Sequence, residues 1–206
     1  MKKILFASIL SFTALLTGCQ SNKANLDHPV TADLYIVHGK LTTYDTFTDD
    51  KRREWPADYT IDKVLEDLTK GSNPEIIYQK EITTEWNKTV TFEDINFLET
   101  TNWPIKNKEW MNKVAQPDGT VNTSLFKFKM TPRNTEDGRL AAQMTFTMEF
   151  LQGIDKVENK DVYYTNTDRF SDAKDIFFVK GQYYVFSAMA LKNKESLIFI
   201  YKLNNE

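Results

Sequence analysis

The chain reads as an α+β fold, mostly antiparallel β, with one clear short helix over Ile61 to Lys70 and about eight strands. Three observations predict it. Two runs alternate apolar and polar residues, Ser124 to Met130 and Arg139 to Leu151, and the loop between them ends in Asp137-Gly138, a strong hairpin signal. One stretch alone carries a helical stripe, with Ile61, Val64, Leu65 and Leu68 at i, i+3, i+4 and i+7. The composition supplies 14 Phe, 9 Tyr and 4 Trp against only 7 Gly and 6 Pro, so a real core is buried without disulfides.

The first residues are not part of that fold. Met1-Lys2-Lys3 is a positive start, and Ile4 to Leu16 is an apolar run of signal-peptide length, shorter than the roughly 20 residues of a spanning helix. The run ends at Leu16-Thr17-Gly18-Cys19, and Cys19 is the single cysteine of the chain. This resembles the lipobox of bacterial lipoproteins. The resemblance implies that residues 1–18 are a lipoprotein signal peptide and that the Cys19 thiol carries a diacylglycerol. Several acyl chains on one residue hold a protein stably at a membrane, where a single chain does so only marginally. Gln20, not Asp, follows the cysteine. By the same resemblance this favours the periplasmic face of the outer membrane, with a Gram-positive cell surface as the alternative. Residues 19–31 are polar and aperiodic and read as the lipidated tether; residues 32–206 read as one β-rich domain.

Along that domain, Ala32 to Leu41 is apolar at both parities, as in a strand buried on two faces. Thr42 to Tyr59, with Asp49-Asp50-Lys51-Arg52-Arg53-Glu54 at its centre, reads as a long exposed connection. The helix follows, with Thr60 as N-cap, Asp62 in the first turn, Gly71 as C-cap and Pro74 blocking continuation. Glu75 to Thr84 and Lys88 to Leu98 flank a turn at Glu85-Trp86-Asn87. Residues 99–123 are polar, with a second short helix near Glu109 to Ala115 and a turn at Pro117-Asp118-Gly119. After the hairpin already described, residues 155–175 read as a polar segment. Ile176 to Val179, Tyr183 to Leu191 and Ser196 to Leu203 close the chain as strands, with turns at Lys180-Gly181-Gln182 and Lys192-Asn193-Lys194-Glu195.

Chemistry-bearing motifs are scarce. The two histidines are His28, in the tether, and His38, read as an exposed or hydrogen-bonded strand residue. No His-Glu-x-x-His, Cys-x-x-Cys, Gly-x-Ser-x-Gly or phosphate-cradling glycine loop occurs. Ser171-Asp172-Ala173-Lys174 matches the Ser-x-x-Lys of penicillin-binding enzymes by letter, but it falls in the polar segment, away from any expected helix. The acidic groups Asp45, Asp49, Asp50, Glu93 and Asp94 lack EF-hand spacing and read as solvated charges. The formal charge is −3, and removing Lys2 and Lys3 with the signal peptide makes the body more acidic, which argues against nucleic acid or anionic lipid as partner. Trp55, Trp103 and Trp110 sit in or beside loops, where indoles line grooves or anchor interfaces.

From residue 60 onward a second likeness emerges. The run Ile61 to Leu68, then Asn73-Pro74-Glu75-Ile76 and Glu81-Ile82-Thr83-Thr84, then Asn87 to Phe92, Thr131-Pro132 with Asp137-Gly138-Arg139-Leu140, and Val179-Lys180-Gly181-Gln182, resembles the β-domain of secretins, the ring-forming outer-membrane channel subunits of pilus and secretion systems. Ser187-Ala188 stands where that family has a Gly pair, and its Gly/Pro-rich ending is absent. The resemblance therefore implies a non-channel relative that keeps the β-scaffold.

The function expected on these grounds is that of a non-enzymatic envelope lipoprotein that binds another protein, in pilus or secretion-complex assembly. The candidate sites are Cys19 for lipid attachment and Trp55, Trp103 and Trp110 for the partner, with no cofactor, no metal and no nucleic acid. The alternative is a periplasmic or surface ligand binder, a glycan- or inhibitor-type module using the loop tryptophans. A hydrolase with a dispersed site is the third reading.

Overall fold

In a computed structural model of the chain, residues 29–40, 54–69, 73–98, 103–134, 140–191 and 195–204 are described. Cys19 and the signal peptide lie outside these residues. So do His28, Lys70-Gly71, Asp137-Gly138 and residues 42–53 of the long connection.

The strands are β1 (Val30–Gly39), β2 (Glu54–Trp55), β3 (Glu75–Thr84), β4 (Val90–Ile95), β5 (Ser124–Asn134), β6 (Leu140–Lys156), β7 (Tyr163–Phe178), β8 (Tyr183–Ala190) and β9 (Ser196–Leu203). They form two sheets, a five-stranded one in the order β2-β8-β9-β1-β3 and a four-stranded one in the order β4-β5-β6-β7. Every neighbouring pair of strands is antiparallel. The expected class, mostly antiparallel β with a short helix, is the one observed.

Parity assigns each side chain to a layer, because successive residues of a strand point to opposite faces. On β9, Leu197, Phe199, Tyr201 and Leu203 enter the core between the sheets, while Ile198 and Ile200 face the other way. On β1, Leu34 and Ile36 face the inter-sheet core, and Tyr35 and Val37 join Ile198 and Ile200. The apolar character of Ala32 to Leu41 at both parities is thus explained by burial on two sides. The four-stranded sheet contributes only one face, from Phe126, Phe128, Met144 and Phe146. Its other face carries Lys127, Gln143 and Ser171 in water, and ion pairs Lys127–Glu93 at 2.8 Å and Arg133–Asp175 at 2.7 Å.

The second face of the five-stranded sheet is covered by α1 (Ile61–Leu68), through Val64, Leu65 and Leu68. Thr60 caps it as expected, its hydroxyl accepting from the Lys63 N–H. The helix ends at Leu68, two residues short of the expected Lys70. The buried Thr69 hydroxyl donates to the Leu65 carbonyl at 2.7 Å and its backbone N–H donates to the same oxygen, which closes the last turn. The second short helix is a 3-10 turn, Lys108–Trp110, continued by α2 (Met111–Val114).

Two expectations are corrected. Residues 155–175 are not an irregular polar segment: β6 runs to Lys156 and β7 occupies Tyr163–Phe178, paired from Leu140↔Phe178 to Lys156↔Tyr163. Its first half is wet on both faces, so no apolar alternation marks it. Ser171-Asp172-Ala173-Lys174 therefore lies in a strand and has no helix N-terminus behind the serine. β5 also continues past Met130 through Pro132 to Asn134. The Pro132 carbonyl accepts from the Asn87 N–H of the β3–β4 turn, so the missing N–H faces that turn and not the β6 ladder.

The sheets are tied at both sides. On one, Tyr78 donates to Asp94, and Lys80 approaches the same carboxylate at 2.8 Å, joining β3 to β4. Burial opposes the Asp94 charge, but the hydrogen bonds from Lys80 and Tyr78 prevail and hold its carboxyl below the ordinary range. Burial and the Asp94 contact push the Tyr78 hydroxyl well up. On the other side, Ser187 of β8 donates to Asp172 of β7 at 2.7 Å.

Candidate functional site

Beyond the Ser187–Asp172 contact the two sheets part, and a cleft of about 690 Å³ opens at that end of the sandwich. Its position follows from a local break in β6. A bulge falls between Leu151 and Gly153, and there the segment after Trp103 docks in parallel against the strand. Lys106 N–H donates to the Gln152 carbonyl at 2.9 Å, and Ile154 N–H donates to the Lys106 carbonyl at 3.0 Å. Asn107, at φ +55°, turns the chain away and donates its amide to the Ile154 carbonyl. Only a glycine permits this approach: a Cβ on residue 153 would sit 2.8 Å from the Lys106 Cβ and 3.0 Å from its carbonyl oxygen.

The docked segment places Trp103 at the bottom of the cleft. Its ring stands edge-on to Phe150 at 5.0 Å and to His38 at 5.5 Å. Ile105, Met189 and Leu191 extend the apolar floor. His38, near the end of β1, bonds through Nε2 to the Glu195 carboxylate at 3.0 Å, the hydrogen-bonded strand histidine that the sequence suggests. Lys106 pairs with Asp155 at 3.1 Å on the opposite rim.

The walls are strand edges. Asp168 and Arg169 both line the cleft, and so do Met189 and Ala190. Consecutive residues of a strand point to opposite faces, so a cavity touched by both meets the edge of the strand itself. Among the described residues β7 pairs with β6 alone.

Chemically, a histidine hydrogen-bonded to a carboxylate is half of a general-base arrangement. Among the described residues no serine, threonine, cysteine or tyrosine lines the cleft beside it. Among the described residues no group of three or more His, Cys, Asp or Glu gathers to hold a metal ion. The neighbours Glu93 and Asp94 point apart, to Lys127 and to Lys80. What remains is an apolar floor under an ionic rim, a surface suited to holding a ligand or a chain.

The three candidate tryptophans do not form one surface. Trp55 is 3% exposed and lies under α1, its indole N–H donating to Asp67 at 3.2 Å; it is a packing residue, because β2 carries it into the layer between helix and sheet. Trp103, 9% exposed, floors the cleft. Trp110 is half-buried beyond it, edge-on to Tyr163 at 5.4 Å near the β6–β7 turn. None of the three is fully exposed, since each packs on an aromatic or aliphatic neighbour. Cys19 lies outside the described residues. The sequence reading missed Glu195, Lys106, Gly153 and Asp168. A lone glycine interrupting the end of an alternating run was the one available signal, for Gly153.

No protein-family model matches this chain, and no curated protein matches it. Three solved structures to which it is similar are secretins. The Vibrio cholerae type IV competence pilus secretin PilQ is 11% identical, with 86% of this chain and 58% of that one covered at a TM-score of 0.36. The Salmonella SPI-1 type III secretion injectisome secretin InvG is 11% identical, with 85% and 64% covered at 0.34. The type II secretin GspD of enteropathogenic Escherichia coli is 13% identical, with 85% and 66% covered at 0.31. The chain spans less than two thirds of the length of each. At these scores the likeness does not set a function.

Proposed function

We propose that this chain is an envelope lipoprotein, tethered through lipid on Cys19, that binds another protein and catalyses nothing. One observation carries the reading: the cleft combines the Trp103 floor with a rim of paired charges, His38–Glu195 and Lys106–Asp155. An apolar centre ringed by polar groups is the anatomy of a protein interface. The lipobox-like Leu16-Thr17-Gly18-Cys19 supports the tether and an outer-membrane, periplasmic setting. The secretin-like run of sequence motifs makes a pilus or secretion complex the proposed assembly.

The test is quantitative affinity purification from chemically cross-linked envelopes. Ala190 is exposed on the cleft wall, so Ala190→Arg fills the cleft without touching the core. Its recovery of the partner is expected to fall about ten-fold, the scale of losing one anchor. Gln143→Arg, on the polar outer face of the four-stranded sheet, is expected to leave recovery unchanged. Equal recovery with both variants overturns the proposal.

A further inference from the structure

We infer that the partner enters the cleft as an extended segment that adds a strand to the outer edge of β7, carrying apolar residues interrupted by a lysine or arginine on its cleft-facing side. The inference rests on the protein-binding reading and specifies how the binding is made. Three features of the cleft carry it.

The first is the main chain. β7 is hydrogen-bonded to β6 along its length and, among the described residues, to no strand on its other edge. An unpaired edge presents a row of N–H and C=O groups that only another extended backbone satisfies in register. Over Asn166 to Arg169 that edge is a wall of the cleft, which leaves room beside it for about four residues, near 13 Å of strand.

The second is the alternation an added strand would meet. Asp168 has the parity of Phe170, which packs on Phe146 of the inter-sheet core, so both belong to the inward face. An inward side chain of the guest faces Asp168 or the floor of Trp103, Met189 and Leu191. The outward face of the sheet is polar, with Thr167 and Ser171 on β7, and asks only polar residues of the guest.

The third is charge. Asp155 is paired with Lys106 and Glu195 with His38, while Arg169 is drawn to Glu149 at 3.4 Å. Asp168 is exposed and has no ion-pair partner among the described residues. Among the described residues the cleft thus holds one carboxylate without a cation, and a basic residue complements it. A second copy of this chain does not: antiparallel pairing of β7 with itself about a two-fold centred anywhere from Asn166 to Arg169 sets Tyr164, Asn166, Asp168 or Phe170 opposite Asp168, and none of these is a cation.

Hydrogen–deuterium exchange of the full lipidated chain in nanodiscs tests this with defined probes. The first probe is the acetylated, amidated hexapeptide Val-Thr-Lys-Thr-Val-Thr. The second carries Glu in place of Lys, and the third is the first probe N-methylated at alternate amides. The lysine peptide at millimolar concentration is expected to slow exchange over residues 163–170 at least five-fold. The glutamate and N-methylated peptides are expected to leave it unchanged. Asp168→Lys, an exposed substitution, is expected to transfer the protection to the glutamate peptide. Unprotected residues 163–170 with the lysine peptide, or equal protection by the N-methylated one, overturns strand addition. A partner that cross-links at the cleft while residues 163–170 stay unprotected also overturns it, yet leaves the protein-binding reading standing.

Discussion

At the scale of single residues, the cleft depends on Gly153 more than on any charged group. Its missing side chain lets the segment at Lys106 reach β6, and that docking holds Trp103 against Phe150. Gly153→Ala forces the segment outward; it is expected to destabilise by about 1–3 kcal/mol in urea unfolding, the scale of overpacking. The same variant should red-shift the tryptophan emission, because the floor loses its packing. Asp94 makes a second test. Its folded pKa is lowered from the ordinary 3.8, so its contribution is fully present above that value and is lost as pH falls through the lowered one. Asp94→Asn is therefore expected to melt below the wild type at pH 7, with the gap closing as pH drops beneath 3.8. A gap that is constant with pH would show that the carboxylate is not what joins β3 to β4. Neither residue announced its role in the sequence. A lone glycine signals close approach but not to what, and the convergence of Tyr78, Lys80 and Asp94 arises only once β3 and β4 fall in different sheets.

At the scale of elements, legibility followed burial. α1 was readable because a single stripe packs on a single sheet, and its N-cap Thr60 is local chemistry. Leu65→Ala removes one member of that stripe and is expected to cost about 2–3 kcal/mol, a melting-temperature drop of roughly 4–12 °C in a protein of this size. Calorimetry reads it directly, and an unchanged transition would mean that the helix does not share the core. β9 was readable as Ser196 to Leu203 because both of its faces are buried, and the turn from β7 into β8 is marked by Gly181 at φ +80°. β7 was readable only at its end, within Ile176 to Val179. Earlier in the strand Asn166, Asp168 and Arg169 bound a cleft, not a core, so that stretch is defined by its register with β6 and leaves no apolar pattern of its own. The stretch that carries the proposed binding edge is thus one that periodicity could not find, as expected where a strand serves a site in place of the core.

At the scale of the whole molecule, the sequence predicted the class but not the arrangement. Which sheet each strand joins depends on long-range pairing, such as β1 with β9, that no local signal encodes. The split of Trp55, Trp103 and Trp110 among three environments is a consequence of that pairing. The tether is a separate question from the sandwich. Cys19→Ser is expected to move the protein from the membrane to the soluble fraction and to abolish labelling by radioactive palmitate, while an unlabelled wild type would contradict lipidation. The claim that the cleft is the working surface is tested most directly by site-specific photo-crosslinking in living cells. A photoreactive residue is placed in turn at Asn166 and Ala190, which line the cleft, and at Lys129 and Gln143 on the outer face of the four-stranded sheet. Adducts of one defined envelope protein are predicted from 166 and 190 and none from 129 and 143. Adducts that arise from the outer face while the cleft positions stay silent would contradict the account.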